Sequence, residues 1–177
     1  MNEEMTKIFF YIGNNGPYFL LIITIYLLWN KHNLLFYYLI GFFISSILNI
    51  ILKGVFKQPR PSEDEKLFKI SLKTGNEAIF KNKIPFDVYG MPSGHAQSTF
   101  YSTVFIWFAL KNKKIFTLYF LFSLFIVFQR VHFSYHTIIQ VIVGSLIGSS
   151  FAYFMYFITQ KKIMGNLILK KDDNGPV

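Results

Sequence analysis

Residues 34–61 read LLFYYLIGFFISSILNIILKGVFKQPRP, an apolar run that ends in a cluster of cations and prolines. From Leu34 to Phe56 it carries a single charge, Lys53, and it is long enough to cross a hydrocarbon core about 30 Å thick at about 1.5 Å per residue. Pro59 and Pro61 push the residues before them, Gln58 and Arg60, out of helical conformation, so the helix is expected to end near Lys57 with Arg60 on a stiff extended segment. Working outward, four more apolar blocks can be drawn: Pro17 to Trp29, with a start nearer Ile8 also open, Ala96 to Leu110, Ile115 to Val131, and Thr137 to Thr159. The expected fold is all-α, a polytopic membrane helix bundle of about five transmembrane helices, with a short amphipathic segment near Thr6 to Asn14 before the first. The blocks from Ala96 and from Ile115 are short, which suits ends recessed into the headgroup layer.

Composition agrees with a membrane setting. Of 177 residues, 53% are hydrophobic, 20% aromatic and only 15% charged, and the mean hydropathy is +0.38. The apolar mass falls in long blocks, which argues against a water-soluble sandwich or barrel. One domain is expected over residues 1–160, with a site-bearing loop at 57–92, followed by a basic, mobile tail at 161–177. With no cysteine, disulfides and thiolate chemistry are excluded, so the four His must carry any imidazole chemistry. A net charge of +9 in so apolar a chain favours anionic lipid headgroups or a phosphate substrate over nucleic acid. No removable signal peptide is expected. The links at Lys31 and at Lys111 to Lys114, together with the tail, share one side, and short basic links of this kind stay in the cytoplasm. The opposite side is then lumenal or extracytoplasmic.

Three polar clusters sit at helix ends on that opposite side. The first runs from Lys53 to Pro61, where Arg60 offers a planar fork for an anion and Lys53 a point charge. The next is Pro92-Ser93-Gly94-His95, in which Ser93 can cap a helix and leave the amides of Gly94 and His95 facing an anion, with His95 placed to donate a proton. The last runs from Arg130 to Gln140. His136 and Gln140, four apart at a helix start, lie on one face, and the Gln140 carbonyl oxygen could fix the tautomer of a nucleophilic imidazole. Structural readings compete at each cluster: snorkelling for Lys53 and Lys57, a plain cap and interfacial residue for Ser93 and His95, a rim role for His132 and Tyr135. Shifting a span boundary so as to add or drop a helix would scatter the clusters across both faces, so their common side supports one site.

Taken together, Lys-x6-Arg-Pro, Pro-Ser-Gly-His and Arg-x5-His-x3-Gln in this order resemble the type 2 phosphatidic acid phosphatase superfamily, which also contains the vanadium haloperoxidases. The match runs from Lys53 to Gln140, about half the chain. Lys57 to Pro61, Tyr89 to Gln97 and Tyr135 to Thr137 followed by Gln140 most resemble its dolichyl-diphosphatase branch. The resemblance implies that Lys53, Arg60, Arg130, Ser93 and the Gly94 amide bind the phosphoryl group, that His95 protonates the leaving group and that His136 attacks phosphorus. It further implies hydrolysis of a polyprenyl or dolichyl diphosphate, or a related lipid phosphate, through a phosphohistidine without metal or other cofactor. Gln140 departs from the Asp usual in the superfamily, and an amide stabilises a cationic phosphohistidine less well. A catalytically inactive binder of phosphorylated lipids, or a membrane scaffold, is the alternative; it would need the cations but not both His95 and His136.

Overall fold

The computed structural model describes residues 3–61, 65–75, 78–81 and 84–161. The chain folds into six helices and one hairpin among these residues: α1 (Glu3–Leu28), α2 (His32–Phe56), α3 (Glu65–Thr74), β1 (Ala78–Lys81), β2 (Ile84–Asp87), α4 (Gly94–Leu110), α5 (Lys113–His132) and α6 (Ile138–Gln160). Helices α1, α2, α5 and α6 are each long and apolar enough to cross a membrane. The fifth member, α4, has 17 residues and lies at the centre, touching all four. The expected tail falls almost wholly outside the described residues.

The bundle is apolar on its outside and sets hydrogen-bonded polar groups among its buried apolar residues, as interhelical bonding in lipid favours. Ile22, Phe43, Val55, Leu121, Phe128 and Leu146 are exposed. Inside, Ser102 Oγ meets the Tyr38 hydroxyl at 2.8 Å, Thr103 Oγ1 meets Ser123 Oγ at 2.8 Å, and Thr24 Oγ1 meets the Tyr119 hydroxyl at 3.0 Å. Tyr38, Tyr101 and Phe105 form the aromatic middle of the core. Close approach of α6 to α4 depends on two glycines, since a Cβ at Gly144 or Gly148 would overlap the backbone of Ser93 or Gln97.

Two features depart from the sequence reading. The stretch from Thr6 to Asn14 is no separate amphipathic segment but the first turns of α1, which runs on through Pro17. Its apolar residues are taken up by the end of α5: Phe9 lies 5.0 Å from Phe125 and Phe10 lies 5.7 Å from Phe133, ring to ring. The polar loop between α2 and α4 is also structured. It contains α3 and an antiparallel hairpin in which Ala78 pairs with Asp87 and Lys81 with Ile84, and a bridge between Pro59 and Tyr89 ties the two ends of the loop together. That pairing delivers Asp87 and Gly90 to the end of the bundle where the motif residues gather.

Candidate active site

Each motif is held by local structure that its sequence specifies. Lys57 takes a left-handed conformation as the C-cap of α2, its amide bonded to the Lys53 carbonyl, which places Lys53 in the last turn and turns the chain towards Arg60. Ser93 caps α4 and accepts from the Ala96 amide, while its own amide donates to the Gln140 carbonyl at 3.1 Å. The turn before it is pinned to α2: Asn49 donates to the Pro92 carbonyl and to Gln97 Oε1, and Gln97 donates to the Ser45 carbonyl at 2.7 Å. Thr137 caps α6 in a reciprocal capping box with Gln140. Between α5 and α6 the chain turns through Ser134, at φ 55°, and the amides of Tyr135 and His136 both return to the Arg130 carbonyl.

These elements bring the three clusters together. His136 is 2% exposed. Its Nδ1 lies 2.9 Å from the Gly90 carbonyl and 3.2 Å from Gln140 Oε1, and Arg60 Nη1 lies 3.5 Å from its Nε2. A carbonyl only accepts and a guanidinium only donates, so the hydrogen sits on Nδ1 and the Nε2 lone pair is directed at Arg60. Burial pushes the His136 imidazole down from the usual 6.5 to about 2, and Arg60, Arg130 and Lys53 add to this in that order. Such an atom can attack an electrophile held among the same cations.

Gln140 makes the contact to His136 Nδ1 expected of it, shares that contact with Gly90, and has a second task. The shorter bond fixing the His136 tautomer comes from Gly90, and Gln140 shares its oxygen with the Thr137 amide at 3.2 Å. Its Nε2 donates to the Pro59 carbonyl at 2.9 Å, which ties α6 to the segment carrying Arg60. A carboxylate cannot make that donation, so the amide fits this position on geometric grounds. Gly90 itself must lack a side chain, because a Cβ there would come within 2.6 Å of Gln140 Oε1.

The cations meet an anion already in place. Lys53 Nζ bonds Asp87 Oδ2, and Arg60 Nη2 reaches the same oxygen at 3.2 Å, while Asp87 Oδ1 accepts from the Tyr89 amide at 3.1 Å. Arg130 stands across the site, its guanidinium 4.2 Å over the Tyr135 ring, with Nη1 2.6 Å from Asn14 Oδ1 and Nε buried without a hydrogen-bond partner among the described residues. His95 turns its Nε2 to the Asn14 carbonyl at 3.0 Å. All eight motif residues therefore lie at one end of the bundle, and Tyr135 joins them through its stack on Arg130. His132 points outwards among Phe9, Phe128 and Phe133, and the cation of Lys57 is on an exposed residue.

Sequence reasoning missed Asp87, Gly90 and Asn14. Asp87 stands directly before the Val88-Tyr89-Gly90 approach to the second motif, and Asn14 belongs, with Asn15, to a polar pair that interrupts the apolar residues of α1, a placement that signals function. Gly90 acts through its carbonyl, which leaves no mark in side-chain chemistry.

The family model described as the PAP2 superfamily matches residues 34–164. Dolichyldiphosphatase 1 of Dictyostelium discoideum is 32% identical over 128 residues, 66% of this chain and 48% of that protein. Dolichyldiphosphatase of Saccharomyces cerevisiae is 32% identical over 128 residues, 67% of this chain and 48% of its own length. The chain thus spans about half the length of these relatives. No solved structure matches it.

Two outcomes test the geometry. Gln140→Glu keeps the size and one acceptor but removes the donor to Pro59, so it should destabilise the protein by about 1–3 kcal/mol; an unchanged melting midpoint in detergent would contradict the tie. In ¹⁵N-histidine NMR, His136 should stay neutral with its hydrogen on Nδ1 from about pH 5 to about pH 8, because a lowered pKa keeps the unprotonated form down to low pH. A titration midpoint near 6.5 would refute the burial argument.

Proposed function

Since this chain belongs to the PAP2 superfamily, we propose that it is an integral membrane lipid phosphatase in which His136 Nε2 attacks phosphorus. The observation that carries this reading is the His136 imidazole itself: neutral, held through Nδ1 by Gly90, with its lone pair pointing into a cluster of cations. In the first step the Nε2–P bond forms as the bond from phosphorus to the bridging or ester oxygen breaks, and His95 passes its proton to that oxygen. Water then attacks the phosphohistidine, giving up a proton to His95, and inorganic phosphate leaves with the Nε2–P bond electrons returned to His136. Lys53, Arg60 and Arg130, with Ser93 and the Gly94 amide at the N-terminus of α4, neutralise the charge on the equatorial oxygens. Fixed donors of this kind are worth about 3–4 kcal/mol each where water is excluded.

The substrate class follows from the relatives, both named dolichyldiphosphatases: a polyprenyl diphosphate, whose chain stays in the bilayer while its headgroup reaches the recessed end of α4. The reaction runs without a metal ion, the three cations taking the part of a divalent charge. The site faces the lumenal or extracytoplasmic side, opposite the basic links at Lys31 and at Lys111 to Lys114.

The test uses purified protein in detergent with a panel of lipid phosphates and diphosphates and a chelator present. Wild type should release phosphate, His136→Ala should form no acid-labile phosphoenzyme, and His95→Ala should lose less rate with a good leaving group than with a poor one. Lipid binding without release would favour an inactive binder, and a strict need for magnesium would refute the chemistry. Asp87 yields a second outcome. Its carboxylate, bonded to Lys53 and Arg60, competes with a phosphoryl oxygen for the same cations, so Asp87→Asn should tighten inorganic phosphate inhibition by roughly five- to tenfold, a modest gain because the side chain is 38% exposed. Weaker inhibition would mean that Asp87 only holds the cations in position.

A further inference from the structure

Helix α1 lies before the segment matched by the family model, which begins at residue 34, yet one of its residues touches the site from two directions. Asn14 Oδ1 accepts from Arg130 Nη1 at 2.6 Å, and the Asn14 carbonyl lies 3.0 Å from His95 Nε2. We propose that Asn14 is a positioning residue for the phosphoryl-transfer site, holding Arg130 by its side chain and the proton donor His95 by its main chain. The inference rests on the phosphatase reading for the names of those two roles, but the contacts stand without it.

Three features give α1 this reach. A Cβ at Gly13 would collide with the Gln129 side chain and one at Gly16 with Ile126, so both glycines let α1 lie close against α5, and Asn14 falls between them. Pro17 brings no amide to the Gly13 carbonyl and crowds it, loosening the helical ladder beside Asn14. An amide side chain within a span is costly unless paired, and this one is paired to a buried guanidinium.

The consequence for His95 is chemical. Because a main-chain carbonyl can only accept, the hydrogen on the bond to Asn14 belongs to Nε2, and Nδ1 is the nitrogen left to hand a proton to the departing oxygen. The same carbonyl stabilises the imidazolium before transfer, the service that a carboxylate performs in other acid–base sites. For Arg130, the bond to Oδ1 and the stack on Tyr135 fix the plane of the guanidinium, and its Nε, with no acceptor among the described residues, keeps its hydrogen for an incoming oxygen.

Orthovanadate, a phosphoryl mimic that requires no turnover, is the probe, with the full chain in detergent. Asn14→Leu keeps the volume and removes the acceptor, and Asn15→Leu makes the same change one residue along, where the side chain donates to the Tyr11 carbonyl. Vanadate affinity should fall about tenfold in Asn14→Leu and hold in Asn15→Leu, at equal melting midpoints. In the wild-type protein, ¹⁵N-histidine NMR should find the His95 hydrogen on Nε2, a readout that needs no variant to fold; Asn14→Ala serves for affinity if the leucine variant does not. Equal affinity in the Asn14 and Asn15 variants, or a His95 Nε2 that carries no hydrogen, would overturn the assignment. Wild-type protein that binds vanadate but releases no phosphate from any lipid would sink the phosphatase reading alone.

Discussion

Positive charge gathered in a half-buried space dominates this molecule. Lys53, Arg60 and Arg130 would repel one another and pay a desolvation cost if nothing offset them. Each is therefore held by a partner of the opposite polarity: Asp87 bonds both Lys53 and Arg60, and Arg130 lies between the Asn14 oxygen and the Tyr135 ring. The neutral state of His136 follows from the same charge, since an imidazolium in that company would be a fourth cation out of water. Holding the cations apart from bulk solvent makes them effective towards an anion.

Precision at that end of the bundle comes from main-chain groups. The Gly90 carbonyl sets the His136 tautomer, the Asn14 carbonyl sets that of His95, and Gln140 links the Pro59 carbonyl to the cap of α6. Main-chain atoms move less than side chains, so the imidazoles supported this way are held in fixed orientations. The polar interior supports it from below. Gln97, Asn49 and Ser45 lock α4 to α2, and the close contacts at Gly144 and Gly148 lock it to α6, so the helix that carries His95 is gripped on two sides.

Much of this was legible in the chain. Long apolar blocks identify the spans because a backbone in lipid must satisfy its own hydrogen bonds, and proline pairs and cap residues marked where α2 stops and where α4 and α6 start. The helix-end clusters at Lys53, Ser93 and Arg130 were readable because polar side chains there serve no packing purpose. The length of α1 was not, since Pro17 and the asparagines before it interrupt the apolar pattern, and only the aromatic rings of α5 explain why the helix continues to Glu3.

The sequence by itself determined which side chains could do chemistry and that they would meet at one end of the bundle, because spacing along a helix and parity across spans are properties of the chain. Tertiary structure alone decided how they are oriented. That the His136 lone pair on Nε2 faces Arg60, that Gln140 donates to the Pro59 carbonyl, and that Asp87 and Asn14 touch the motif cations all depend on carbonyls and side chains brought from elsewhere, by a hairpin and a first helix whose contacts are non-local. A hydrogen bond to a backbone atom far along the chain leaves no pattern for a sequence to display.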